Sequence, residues 1–179
     1  MINAKVNEAL NKQMNNEMYS AYLYMAMSAH SSHIGLNGFA HWFMVQYHEE
    51  MLHAMKFYNY ILDQGGTVEL RKIEQPPVEF ASPLDMFEKT LTHEQFITRC
   101  IHELTELAMT EKDFATQIFL QWYVTEQVEE EKNDNEILAK LRFVKNDTSG
   151  LFMLDNELGA RALTVQTDFS QGIVAPANA

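Results

Sequence analysis

Residues 39–57 read FAHWFMVQYHEEMLHAMKF. Stepped alternately by four and three, the stretch yields Phe39, Phe43, Gln46, Glu50, His53 and Phe57, the spacing that places side chains on one face of an α-helix. Both ends of that face are aromatic and its middle is polar. The same stepping elsewhere gives Leu10, Met14, Glu17, Ala21 and Tyr24, then Phe87, Leu91, Glu94, Thr98 and Ile101. A fourth series runs Leu120, Tyr123, Gln127 and Glu130, with the apolar run resuming at Ile137 and Leu141. Four long helices are therefore predicted, each with an apolar stripe broken by polar residues at mid-length.

Punctuation between the stripes sets the topology. The first helix spans about Asn3 to His33, and Ile34-Gly35-Leu36-Asn37-Gly38 turns the chain, with Asn37 expected to cap the second helix. Gly65-Gly66 ends that helix near Gln64, and the 18 residues 65–82, with Pro76-Pro77, show no helical period. Fully extended they reach roughly 59 Å, against roughly 42 Å for a helix of about 28 residues, so the segment can cross the whole bundle. Ser82-Pro83-Leu84-Asp85 supplies a cap, a first-turn proline and a first-turn acid for the third helix. A short break near Thr110 to Asp113 precedes the fourth helix, which extends to about Phe143. Two short loops and one long crossover predict an all-α four-helix bundle of two antiparallel hairpins. After Asn146-Asp147-Thr148-Ser149-Gly150 a short fifth helix is expected around Leu151-Phe152-Met153-Leu154 and Leu158, with no groove left for it in its own bundle. Residues 1–160 read as one domain and residues 161–179 as a loosely ordered tail.

Composition narrows the partners. The chain has 179 residues, 46% apolar, with only 7 Gly and 4 Pro, which excludes disordered and collagen-like classes. Thirteen basic against 25 acidic residues leave a net charge of −12, which argues against nucleic acid and favours cations. Cys100 is the single cysteine, so no internal disulfide or Cys-x-x-Cys site can form. The start, MINAKVNEAL, lacks the apolar centre of a secretion signal, and no stretch approaches the ~18 apolar residues of a membrane span. A cytoplasmic protein is expected.

The polar positions in the stripes repeat. Glu17 and Glu94, Glu50 and Gln127, His53 and Glu130, and the flanking Glu49 and Glu126 are each 77 residues apart, so the two hairpins are pseudo-equivalent. A single helical Glu is ordinarily solvated, and a single stripe His is ordinarily a hydrogen-bonded core residue. Four carboxylates facing one another are a different matter, because one buried, unpaired ion costs several kcal/mol and a domain holds only about 5–15 kcal/mol of net stability. Lys56, Lys89, Arg99 and Lys132 all fall off the stripes. Protonation or a metal cation can relieve the charge, and the bundle-site pattern of facing Glu and Glu-x-x-His residues favours the metal. Oxygen-rich ligation with one imidazole suits iron or manganese better than structural zinc. Tyr24, seven residues after Glu17 on the same stripe, is close enough to order a ligand or supply an electron. Trp122 is a weaker candidate of that kind.

With Glu49-Glu50-Met51-x-His53, Leu120-Gln121-Trp122-Tyr123 and Glu126-Gln127-x-Glu129-Glu130 in place, the chain closely resembles the bacterial non-haem ferritins over residues 1 to about 160. The resemblance implies a ferritin-like bundle with a di-iron ferroxidase centre, in which Glu17, Glu50 and His53 hold the first iron and Glu50 bridges. Glu94 and Glu130 would hold the second iron, with Gln127 beside it. It also implies a third iron position served by Glu49, Glu126, Glu129 and Glu130. The partners it implies are ferrous iron with dioxygen or hydrogen peroxide, and a hollow homo-oligomeric cage of 24 subunits whose pore the fifth helix lines. Gln127-Val128-Glu129-Glu130 departs from the double Glu-x-x-His pattern of the haem-containing bacterioferritins, so no haem is expected, although Met51 stands where that family supplies its haem ligand. A passive metal-binding assembly without oxidase activity is the other alternative. His30 and His33 have metal-pair spacing but lie by a turn, where no site is expected.

Overall fold

A computed structural model describes residues 2–145, 147–170 and 172–173. Helices α1 (Ala4–His33) and α2 (Asn37–Asp63) form one hairpin, α3 (Pro83–Thr110) and α4 (Phe114–Phe143) a second, and α5 (Thr148–Leu158) follows. The crossover lies between α2 and α3 as expected, and α1 packs on α3 to join the hairpins. Asn11 is off the apolar stripe yet buried, because the crossover runs over it: its Nδ2 donates to the Thr67 carbonyl (2.9 Å) and its Oδ1 accepts the Glu69 N–H (2.6 Å). No helix among the described residues is long and apolar enough to cross a membrane.

The helix starts follow local chemistry with one exception. Ser82 Oγ accepts the Asp85 N–H (3.1 Å) and Asp113 accepts the Thr116 N–H (3.0 Å), which satisfies first-turn donors of α3 and α4. Asn37 does not cap α2. It is already helical, Leu36 holds the cap position without a side-chain bond, and Asp155 of α5 accepts the Gly38 and Phe39 N–H groups at 2.8 and 3.0 Å. A distant carboxylate therefore takes the place of the local cap, at the helix end where an anion is favoured.

The same contact corrects the expectation for α5. One of its faces is buried on its own chain: Leu154 and Leu158 join the cluster built on Tyr24, Phe39, Phe43 and Phe87. Phe152 and Met153 stay exposed. Gln171 and residues 174–179 of the tail lie outside the described residues.

The core is split in two. That first cluster fills the α5 end, and a second, built on Leu10, Met14, Phe57, Ile101 and Leu120, fills the other. Between them lies a layer of buried Glu17, Gln46, Glu50, His53, Glu94, Gln127, Glu130 and Asp134. The apolar ends stabilise the bundle, and the polar layer is held at the depth where ions are most costly.

Candidate metal centre

Each long helix contributes to the layer from its interrupted stripe. Ligand atoms of Glu17, Glu50 and His53 lie within 4.8 Å of one another, as do those of His53, Glu126 and Glu130. His53 is shared: Nδ1 is 3.4 Å from Glu50 Oε2 and Nε2 is 3.8 Å from Glu126 Oε1. Its ring packs edge-on against Trp122 at 5.2 Å and Tyr123 at 6.1 Å, and the Tyr123 hydroxyl donates to the His53 main-chain carbonyl at 2.8 Å. Aromatic packing thus sets the imidazole before any ligand arrives.

Amides and a phenol hold the carboxylates. Gln13 Nε2 donates to Glu17 Oε1 (2.8 Å), Gln46 Nε2 to Glu130 Oε2 (2.7 Å) and Gln127 Nε2 to Glu94 Oε2 (3.1 Å). Tyr24 donates its hydroxyl to Glu94 Oε1. The Gln46 bond occupies one oxygen of Glu130, whereas both oxygens of Glu94 are held, one by Tyr24 and the other by Gln127.

Burial is the first cause of the electrostatics. It pushes the Glu50 and Glu130 carboxyls well above the usual carboxylate range, reinforced by Glu94 beside each. Glu17 is raised by burial too, although His53 and the Gln13 bond act against it. Carboxyls in that state are poised to give up protons to a cation.

The sequence-predicted residues do not all converge. Glu17, Glu50, His53, Glu126 and Glu130 come together, and Glu94 and Gln127 join through their hydrogen bond. Glu49 stands at the rim, paired with Arg161 at 2.5 Å, and Glu129 is exposed. Met51 lines an open apolar groove with Met18, Met25, Tyr47 and Ile73, away from the layer. His30 packs edge-on against Phe80.

Helical stepping missed three residues. Arg161 is the largest omission, because a cation does reach the acids, and it comes from beyond the four helices. Asp134 is buried with Oδ2 unpartnered. It follows Glu130 by four and precedes Ile137 by three, so the stepping itself could have found it. His93 packs beside Tyr24 with Nε2 2.7 Å from Ser20 Oγ, and burial lowers its pKa. Lys56 is off the stripe as read; its ammonium sits 3.0 Å from the Trp122 ring centroid, where burial lowers its pKa to about 8.

A mostly carboxylate donor set with one imidazole and free oxygens matches hard, redox-active cations such as iron. Comparisons with known proteins agree with that chemistry. The chain is 41% identical over 161 residues to a bacterial non-heme ferritin of Staphylococcus aureus, covering 90% of this chain and 97% of the relative. It is 40% identical over 162 residues to the counterpart from Staphylococcus haemolyticus, covering 90% and 98%. Among solved structures, an open-pore ferritin from Archaeoglobus fulgidus superposes with a TM-score of 0.90 at 51% identity, covering 90% of this chain and 100% of that one. A form of the same archaeal ferritin engineered to be closed gives 0.91 at 51% identity, covering 92% and 100%. Residues 7–144 match the family described as the ferritin-like domain, and the chain belongs to the ferritin family.

Proposed function

We propose that this chain is a cytoplasmic iron-storage protein that oxidises Fe(II) at the buried layer and keeps the ferric product inside a hollow assembly of about 24 copies. The observation that carries the reading is the convergence of Glu17, Glu50 and His53 ligand atoms within 4.8 Å in the middle of a bundle core. Fe(II) is the substrate. One ion is held by Glu17, Glu50 and His53, and a second by Glu94 and Glu130, with Glu50 between them and Gln127 orienting Glu94.

Two ions held side by side allow dioxygen to accept two electrons together: 2 Fe(II) + O2 + 2 H+ gives 2 Fe(III) + H2O2. The carboxylates favour the product because hard anions bind the higher charge more strongly. Glutamates here act as ligands, and Tyr24 orders Glu94 from the side opposite Gln127. Glu49, Glu126, Glu129 and Glu130 form an outer position through which a third cation is held at the rim. The non-heme ferritin relatives support iron as the metal.

The test is stopped-flow absorbance after anaerobic Fe(II) loading and mixing with air, with oxygen uptake measured in parallel. Glu50→Ala and His53→Ala should stay assembled and lose at least about tenfold in initial rate. Unchanged rates in both would refute the assignment, and metal binding without oxygen uptake in the unsubstituted protein would leave a passive metal-binding cage.

A further inference from the structure

Three residues past the end of α5, Arg161 turns back onto α2. Its Nη1 donates to Gln46 Oε1 at 2.7 Å and its Nη2 to Glu49 Oε2 at 2.5 Å. The guanidinium carbon lies 4.7 Å from the Trp42 ring centroid, and His41 Nε2 lies 2.8 Å from the Arg161 carbonyl oxygen. Four contacts therefore hold a residue that has no regular secondary structure of its own.

The fork does two jobs. One arm pairs directly with Glu49. The other takes the oxygen of the Gln46 amide, which leaves the Gln46 nitrogen to face the layer, where it donates to Glu130 Oε2 at 2.7 Å. Carboxylates on two different helices, Glu49 of α2 and Glu130 of α4, are thereby oriented by one planar cation. The pair is also sheltered, with side chains 22% and 15% exposed, so water screens it less than an ordinary surface ion pair.

A guanidinium at a carboxylate occupies the place a metal cation would take. We propose that Arg161 is a positioning residue and tethered counter-cation of the outer position, holding Glu49 and, through Gln46, Glu130, and giving Glu49 up when a divalent cation arrives. Its charge makes the outer position the weaker one, and loading that position releases the segment after α5. The inference rests on the outer position proposed above.

Anaerobic calorimetric titration of the assembled protein with Fe(II) separates inner from outer binding steps. Three chains are compared: unsubstituted, Arg161→Gln and Arg161→Lys, each checked for assembly by gel filtration. Arg161→Gln removes the charge and should tighten the outer step about tenfold, with the inner step moving less than about twofold. Arg161→Lys loses the bidentate fork and keeps the charge, so its outer step should stay within about threefold of the unsubstituted chain. A purely structural role would move both variants alike. An outer step that is unchanged or weaker in Arg161→Gln, or shifted equally in both variants, would overturn the inference and leave the outer position standing. No outer step in any of the three chains would overturn both.

Discussion

A methyl group added to Gly38 would meet the carbonyl oxygen of Asp155 at 1.6 Å. The start of α2 therefore lies directly under α5, close enough for Asp155 to cap it, and only a residue without a Cβ permits the approach. Gly38→Ala should push α5 off α2 and lower stability by roughly 2–3 kcal/mol. Asp155→Ala should cost about 1–2 kcal/mol through the two N–H groups left without an acceptor. Thermal unfolding of the metal-free protein checks both, and Gly38→Ala melting no lower than the unsubstituted chain would contradict the packing argument.

Tyr24 offers a cleaner separation of fold from site. Its ring is buried against Phe43 and its hydroxyl donates to Glu94. Tyr24→Phe keeps the ring and removes only the donor, so the bundle should assemble while Glu94 loses one of its two anchors. Fe(II) affinity at the Glu94 side should fall about tenfold, the equivalent of one charge-assisted hydrogen bond of ~1.4 kcal/mol. Anaerobic titration reads this directly. A variant that binds normally but oxidises more slowly would point instead to an electron-supplying role for the phenol.

How far the molecule was legible follows from distance along the chain. Helix faces, the crossover and the Ser82-Pro83 start depend on residues within a turn or two of each other, and spacing reads those well. The α2 cap is not legible locally, because Asn37 is a good local candidate while the acceptor, Asp155, is 116–117 residues from the N–H groups it serves. Arg161 was invisible for the same reason: nothing in a coil segment tells which helix its side chain will reach. Asp134 differs, since it sits four residues after Glu130 and three before Ile137, on the stripe itself.

Metal binding should release protons. Burial holds the Glu50 and Glu130 carboxyls protonated well above the usual range, and an arriving cation stabilises their ionised forms. Affinity should then rise with pH while the number of protons released per cation falls, because at higher pH the groups are already ionised before binding. Titrating Zn(II) as a redox-inert stand-in, in buffers of differing ionisation enthalpy, counts the protons. Zero release near neutral pH would show that the layer is ionised without a cation.

Asp134 makes the sharpest statement about stability. Burial, with Glu94 nearby, raises its pKa from 3.8 to about 9, and its Oδ2 has no hydrogen-bond partner. Between those two values the folded chain holds a proton that the unfolded chain has lost, so stability falls as pH rises through the window and is fully retained only below it. Asparagine has nearly the same shape and never ionises. Asp134→Asn should therefore match the unsubstituted protein near about pH 4 and exceed it by several kcal/mol near about pH 8. Glu50 and Glu130 contribute slopes of the same sign, so the informative quantity is the difference between the two chains across pH, taken from urea unfolding of the metal-free proteins. A difference that stays constant with pH would mean that Asp134 is ionised in the folded core and is compensated by a partner.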